Sequence, residues 1–142
     1  MWQEPKVDWK VTYDENGDYL GDYFNAEDFN RIKNNIAHLY DIARVLFPDI
    51  RPVQGWRQDK TYRDYLYADD MNMLVENLVK LADLMRVSIP LGDDEYYENY
   101  ATMTHEELNS IEEWTDRIRD MLQNTVDGRR KLRFNLGIRE DF

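Results

Sequence analysis

The amino-acid sequence predicts a mainly α-helical protein: a three-helix bundle with a small β-hairpin or sheet formed by its N-terminal segment and its C-terminal tail. Three observations support this prediction: a helix-start pattern that occurs three times, a stripe of apolar residues behind each start, and strand-like stretches at both ends. We expect a single domain over 1–142, in which an extended or hairpin segment (1–22) precedes the helical bundle (23–126) and a basic, strand-like tail (127–142) follows it.

The N-terminal segment contains a short-range hairpin signal. Strand-like residues flank Asn16-Gly17 in "WKVTYDENGDYL", and the pair Asn-Gly favours the tight turn of a β-hairpin. The same stretch has part of a calcium-loop pattern, but Tyr19 and Asn25 stand where that loop requires a Gly and a bidentate Glu. A turn is therefore the better interpretation of this stretch.

The same type of helix start occurs three times along the chain. The segments "FNAEDFNRI" (24–32), "LYADDMNML" (66–74) and "MTHEELNSI" (103–111) place two acids, an apolar residue and an Asn in the same order. Acids in a first turn suit the positive end of the helix dipole, and the flanking apolar residues have the spacing of a hydrophobic staple. Their similar spacing fits either an internal duplication or convergence on favourable helix starts. The residues that we assign to these starts are Asn25, Asp28, Asn30, Asn72, Thr104, Glu107 and Asn109.

Behind each start, apolar residues recur every three or four positions, which predicts amphipathic helices at about 26–46, 68–88 and 105–124. A proline follows each of the first two helices, and Gly128 follows the third. Since each helix has one apolar face, three of them are expected to enclose one core. The predicted core stripes are Phe29, Ile32, Ile36, Leu39, Ala43 and Leu46, then Met71, Leu74, Leu78, Leu81, Ala82 and Met85, and finally Leu108, Ile111, Thr115, Ile118 and Leu122 with Trp114 beside them.

The Asn that follows the second apolar residue of each start has two possible roles. Asn30, Asn72 and Asn109 can each bond to exposed backbone of a neighbouring element and so fix how the helix meets that element. Alternatively, each is a half-exposed helical residue without a specific partner. The sequence leaves both interpretations open.

The C-terminal stretch "RKLRFNLGI" alternates polar and apolar residues, which predicts a strand that pairs with the N-terminal hairpin. It is also basic: residues 127–142 have five bases against three acids, a net charge of +2. Because the whole chain has a net charge of −11, residues 1–126 carry −13. Such a tail can dock on the acidic body or on a neighbouring subunit, which makes Arg129, Arg130 and Arg133 candidate interaction residues.

The composition argues against several classes of function. An acidic surface repels phosphate backbones, so we expect no nucleic-acid partner, and no apolar run approaches the ~20 residues of a membrane span. The chain has no Cys and only two His; "HEELN" has Asn109 where a zinc-protease motif needs its second His. We expect no metal, no cofactor and no catalytic residues, and hence no enzyme.

Aromatic residues outside the helical stripes form a second group of candidate interaction residues. Tryptophan and tyrosine cover the cores of small domains and are also favoured at protein–protein interfaces, and both uses are possible here. The residues concerned are Trp2, Trp9, Trp56, Tyr96 and Tyr97.

Two stretches near the N-terminus, "PKVDWK" (5–10) and "YFNAEDFNRIKNNIAHL" (23–39), contain a distinctive pair of motifs. They resemble small structural proteins of tailed bacteriophages and prophages, in which a Pro-Lys-x-Asp-Trp opening is followed by Phe-Asn-x-x-Asp-(Phe or Tyr)-Asn-Arg-Ile and a helix. The ending "RRKLRFNLGIREDF" (129–142) resembles the basic close of such tail-module proteins, whereas the middle of the chain has no counterpart. The distinctive cluster is Asp28, Asn30, Arg31 and Ile32, and the spacer "VTYDENGDYLGD" is longer than in that family.

The resemblance implies a non-enzymatic structural or assembly protein that acts through protein–protein contacts in a virion tail or baseplate. Its partners would be other virion or tail proteins, with a homo-oligomer also possible, and it would be located in the virion or in the host bacterial cytoplasm. The alternative is an acidic helical adaptor or regulatory protein that binds a basic partner.

Overall fold

In the computed structural model, the described part of the chain forms three helices that pack against one another. The helices are α1 (Ala26–Leu46), α2 (Ala68–Leu84) and α3 (His105–Asn135). The structure describes residues 2–10, 12–18, 21, 26–52, 59–61, 68–89 and 105–135. The predicted helical bundle is therefore confirmed. No strand occurs within the described residues, so the predicted sheet is not confirmed.

The predicted apolar stripes form the core. Nearly every residue of the three stripes is buried, and only Leu46, Met85 and Trp114 lie partly exposed at its edge. Tyr40, four residues after Ile36 on the same face of α1, is also fully buried, and its hydroxyl donates to the carbonyl oxygen of Asn77 at 2.9 Å. Burial raises the pKa of Tyr40, because the phenolate would be charged in an apolar setting.

The first two helices end in different ways: a proline follows α1, and a left-handed residue ends α2. Helix α1 stops at Leu46, and Pro48 follows it. Helix α2 ends at Leu84, four residues before its predicted end. The amide of Val87 donates to the Ala82 carbonyl at 2.9 Å, and Arg86 has a φ of 58°. This is a Schellman motif with arginine at the left-handed position, which glycine usually occupies, so the residue type does not signal this helix end.

Helix α3 is longer than predicted and replaces part of the predicted tail. The helix continues through Gly128 to Asn135, so the prediction of a strand-like tail over 127–142 is wrong as far as residue 135. Leu122 and the buried Val126 continue the four-residue spacing of the core stripe, which keeps this part of α3 against the bundle. A single glycine costs a helix about 1 kcal/mol, which is too little to end one that is held by packing. Residues 136–142 lie outside the described residues.

The N-terminal segment (2–10) runs extended along the bundle, and a turn follows it. The Asp14 carbonyl accepts from the amide of Gly17 at 3.1 Å, and the Asp14 carboxylate accepts from the amides of Asn16 and Asp18 at 2.9 and 2.8 Å. Gly17 has a φ of +85°, which side chains disfavour. The turn therefore lies at Asn16-Gly17 as predicted, although the strands of a hairpin do not flank it among the described residues.

Replacing Gly128 by alanine is expected to stabilise the protein by about 0.5–1 kcal/mol. A Cβ atom at this position meets nothing within 4 Å, and alanine favours the helix interior. The free energy of unfolding, measured by urea denaturation, tests this. Gly17→Ala is the matched control and is expected to destabilise, because its φ is positive. A loss of stability in Gly128→Ala would instead indicate a helix end at this glycine.

Candidate functional site

A buried carboxylate on α3 joins the N-terminal segment to α1. The side chain of Glu112 is only 2% exposed. Its Oε1 accepts from the backbone amide of Lys6 at 3.1 Å and from Nε and Nη2 of Arg31 at 3.0 and 2.8 Å. Its Oε2 accepts from the indole Nε1 of Trp9, which is itself buried. We call Glu112, these three partners and Asp28 the Glu112 cluster.

Charge pairing partly compensates for the burial of the Glu112 cluster. Nη1 of Arg31 also contacts Asp28 at 2.8 Å, so the guanidinium lies between two carboxylates. Burial acts to lower the pKa of Arg31, but Asp28 and Glu112 raise it overall. Burial raises the pKa of Glu112, and the hydrogen bonds from Trp9, Lys6 and Arg31 only partly offset this. Loss of Arg31 therefore leaves the buried Glu112 without its counter-charge, whereas loss of Glu112 leaves Arg31 with Asp28 alone.

Two of the three Asn residues at the helix starts bond to backbone of extended segments. Asn109 accepts from the amide of Trp9 at 2.7 Å and donates to its carbonyl at 2.9 Å. Asn30 does the same with Lys60, at 2.7 and 2.6 Å. Each carboxamide thus replaces the neighbour that a strand would have in a sheet. Asn72 is half-buried at the equivalent place on α2, and its backbone partner stays a prediction.

A third carboxamide of this kind holds the other end of the N-terminal segment. Asn35 on α1 accepts from the amide of Gln3 and donates to its carbonyl, both at 2.8 Å. We call Asn35 and Asn109, which hold the segment at its two ends, the Asn brackets. Between them, Glu112 accepts from the amide of Lys6. The segment is therefore fixed to α1 and α3 through its backbone at three places.

Trp2 anchors the start of the segment between two basic side chains. Its ring lies 5.9 Å from that of His38, tilted by 49°, and the guanidinium of Arg119 lies 4.5 Å from the ring centroid. This cation–π contact stabilises the Trp2 ring against the charged guanidinium of Arg119. Burial lowers the pKa of His38, and Arg119 lowers it further, while Asp41 acts in the opposite direction.

The candidate residues predicted from sequence have several different locations. Trp9 lies in the core, Trp2 is half-buried against it, and Glu107 is half-buried on α3. Arg129 is exposed on α3, and the backbone of Arg130 and Arg133 belongs to the same helix. The remaining candidates, which lie outside the described residues, are Asn25, Trp56, Tyr96, Tyr97 and Thr104.

Sequence reasoning missed Glu112 and Asn35 as site residues. Glu112 lies four residues after Leu108 and next to Ile111, so it shares the buried face of α3. Asn35 lies three residues after Ile32 on the buried face of α1. A polar residue within a core stripe must find a partner, and this was the signal available in the sequence.

An open cavity of about 510 Å³ lies at the other end of the bundle, where α1 and α2 finish. Its apolar wall includes Phe47 and Leu84, which are 39% and 37% exposed. The residues that line the cavity are Leu46, Phe47, Pro48, Asp49, Ile50, Arg51, Lys80 and Leu84.

The described residues contain no group of three or more His, Cys, Asp or Glu side chains that could hold a metal ion. Among the described helices, none combines the length and apolarity that crossing a membrane requires.

No protein-family description, no curated protein and no solved structure matches this chain.

Replacing Glu112 by alanine is expected to lower the free energy of unfolding by about 3 kcal/mol, because Arg31 then keeps only Asp28 as a partner and the Trp9 indole and Lys6 amide lose their acceptor. Chemical denaturation measures the effect. Glu113→Ala is the matched control: this neighbour forms an exposed ion pair with Arg117, so a change within about 0.5 kcal/mol is expected. Equal effects of the two substitutions would contradict a special role for Glu112.

Stability is expected to fall as the pH drops through the His38 transition. The folded-state pKa of His38 lies below its ordinary value of 6.5, so the contribution of the neutral ring is complete above 6.5 and is lost as the pH falls through the lowered value. The Tm of the wild type should therefore fall more than that of His38→Gln between about pH 7.5 and about pH 5.5. Parallel decreases in the two proteins would show that other groups cause the pH dependence.

Proposed function

We propose that this chain is a non-enzymatic structural or assembly protein of a tailed phage or prophage, acting through protein–protein contacts in the tail or baseplate. The observation that supports this most is how the residues of the phage resemblance are used. Its two motifs, "PKVDWK" and "FNAEDFNRI", are separated along the chain, and both contact Glu112 of α3.

Each distinctive residue of the second motif contributes to holding the fold together. Asp28 and Arg31 belong to the Glu112 cluster, Asn30 bonds the backbone of Lys60, and Ile32 is buried in the core. In the first motif, Trp9 fills the core and binds Glu112. These contacts hold the extended segments rigidly against the helices. Such rigidity suits a structural protein, which must keep its binding surfaces at fixed positions relative to one another.

The apolar end of the bundle supplies a surface for such contacts. Phe47 and Leu84 border the open cavity there, and Val45 on α1 is 54% exposed. Exposed apolar side chains grouped beside a cavity are typical of protein-binding surfaces. We propose that another tail protein covers this end of the bundle.

The alternative is an acidic adaptor or regulatory protein. The net charge of −11 favours it, because an acidic surface attracts a basic partner through long-range electrostatics. The two functions differ in salt dependence: binding to an acidic face weakens as salt rises, whereas an apolar interface persists.

Co-expression with the products of the flanking genes, followed by light scattering at low and high salt, tests the proposal. We expect a complex that survives high salt and that Phe47→Ser with Leu84→Ser weakens by at least about tenfold, because the apolar surface is lost. The matched control is Tyr13→Ser, which removes an aromatic that is 62% exposed elsewhere. A chain that stays monomeric and binds none of these products would contradict the proposal, and a complex lost at high salt would favour the adaptor.

A further inference from the structure

We propose that the face of α1 and α3 that holds residues 2–10 is a binding site for an extended peptide, and that it accepts the N-terminal segment of a second copy of this chain. The two copies would thus exchange their N-terminal segments. This proposal rests on the proposed function in one respect: it assumes that the chain acts through protein–protein contacts. The surface concerned is different from the apolar end of the bundle.

The contacts of the segment are those of a bound peptide. The Asn brackets hold the backbone of Gln3 and Trp9, and Glu112 holds the amide of Lys6. Backbone recognition of this kind fixes the register of an extended chain without depending on most of its side chains. It is the way in which peptides bind to sheet edges, here supplied by side-chain carboxamides.

The side chain of Trp9 provides the specificity of the site. It is 4% exposed, packs in the core and donates its indole N–H to the buried Glu112. A peptide without tryptophan at this position would leave an apolar pocket empty and remove a donor from a buried carboxylate. Pro5 favours an extended backbone before binding, which lowers the entropy lost when the segment docks.

These contacts are the same whichever molecule supplies the segment. Among the described residues, the backbone amides of Gln3, Lys6 and Trp9 donate to side chains of α1 or α3, which lie 32 to 106 positions away in the chain. Residues 11–25 connect the segment to α1, and fifteen residues span at most about 50 Å. Exchange between copies therefore preserves the site and changes only the path of the connection, which is the condition for segment swapping.

Concentration decides between the two arrangements. A segment tethered by a short linker has an effective concentration on the order of 1 mM at its own site, so a dilute protein is expected to be a closed monomer. When many copies are held together, as in an assembly, the local concentration of neighbouring segments reaches the same range. The exchanged form then becomes populated without any new contact.

Disulfide trapping between two full-length variants tests the proposal, because the natural chain has no Cys. Gln3→Cys in one pool and Asn35→Cys in the other place one thiol on the segment and one on the site where Gln3 docks. Under oxidised glutathione, we expect the mixed pools to form the heterodimer at least about tenfold faster than a control mixture. The control uses Val7→Cys with Asn35→Cys, since Val7 is exposed on the same segment. Equal rates in folded variants would overturn the proposal.

The wild-type chain gives a second test that needs no substitution. Sedimentation is expected to show a dimer that grows with concentration towards about 1 mM, and an excess of a peptide of residues 2–10 should return it to monomer. The same peptide with Trp9→Ala should have no effect, because its anchor is missing. A wild-type protein that stays monomeric over this range, or a dimer that the wild-type peptide leaves intact, would overturn the exchange.

Discussion

The relative positions of the N-terminal segment, α1 and α3 depend on the buried carboxylate of Glu112. A charged group removed from water is tolerated only where donors surround it, and here the donors come from Lys6, Trp9 and Arg31. Each lies 81 to 106 residues from Glu112 along the chain. Because all three must be in place at once, one side chain fixes an extended segment and a helix against a second helix.

The carboxamides solve a related problem for the extended backbone. A buried or half-buried strand must pair its amides and carbonyls, and in most folds another strand does so. In the described residues, Asn30, Asn35 and Asn109 perform this role from helices, each as donor and acceptor for one residue. Strand-like sequence near the N-terminus is therefore compatible with a bundle that carries extended segments along its sides without a sheet.

The limits of prediction from this sequence follow from the range of each interaction. The core stripes were predictable because periodicity is local: Phe29, Ile36 and Leu78 are buried as expected. Arg86 ends α2 in a left-handed conformation that its residue type does not announce, and Gly128 lies within a helix because packing outweighs its low propensity. The burial of Glu112 could be inferred from its place in the core stripe of α3, but its partners could not, since no local pattern shows which distant donors will meet a carboxylate.

The polar contacts also explain how such a bundle can hold a single arrangement. An apolar stripe can slide along another with little change in buried area, whereas a buried carboxylate and a paired carboxamide have only one register that satisfies them. Trp9 combines both requirements, because its ring fills the core and its N–H completes Glu112. Shifting the segment by one residue would direct its neighbours, Asp8 or Lys10, towards the core instead. The position of one tryptophan therefore determines the register in which the segment binds.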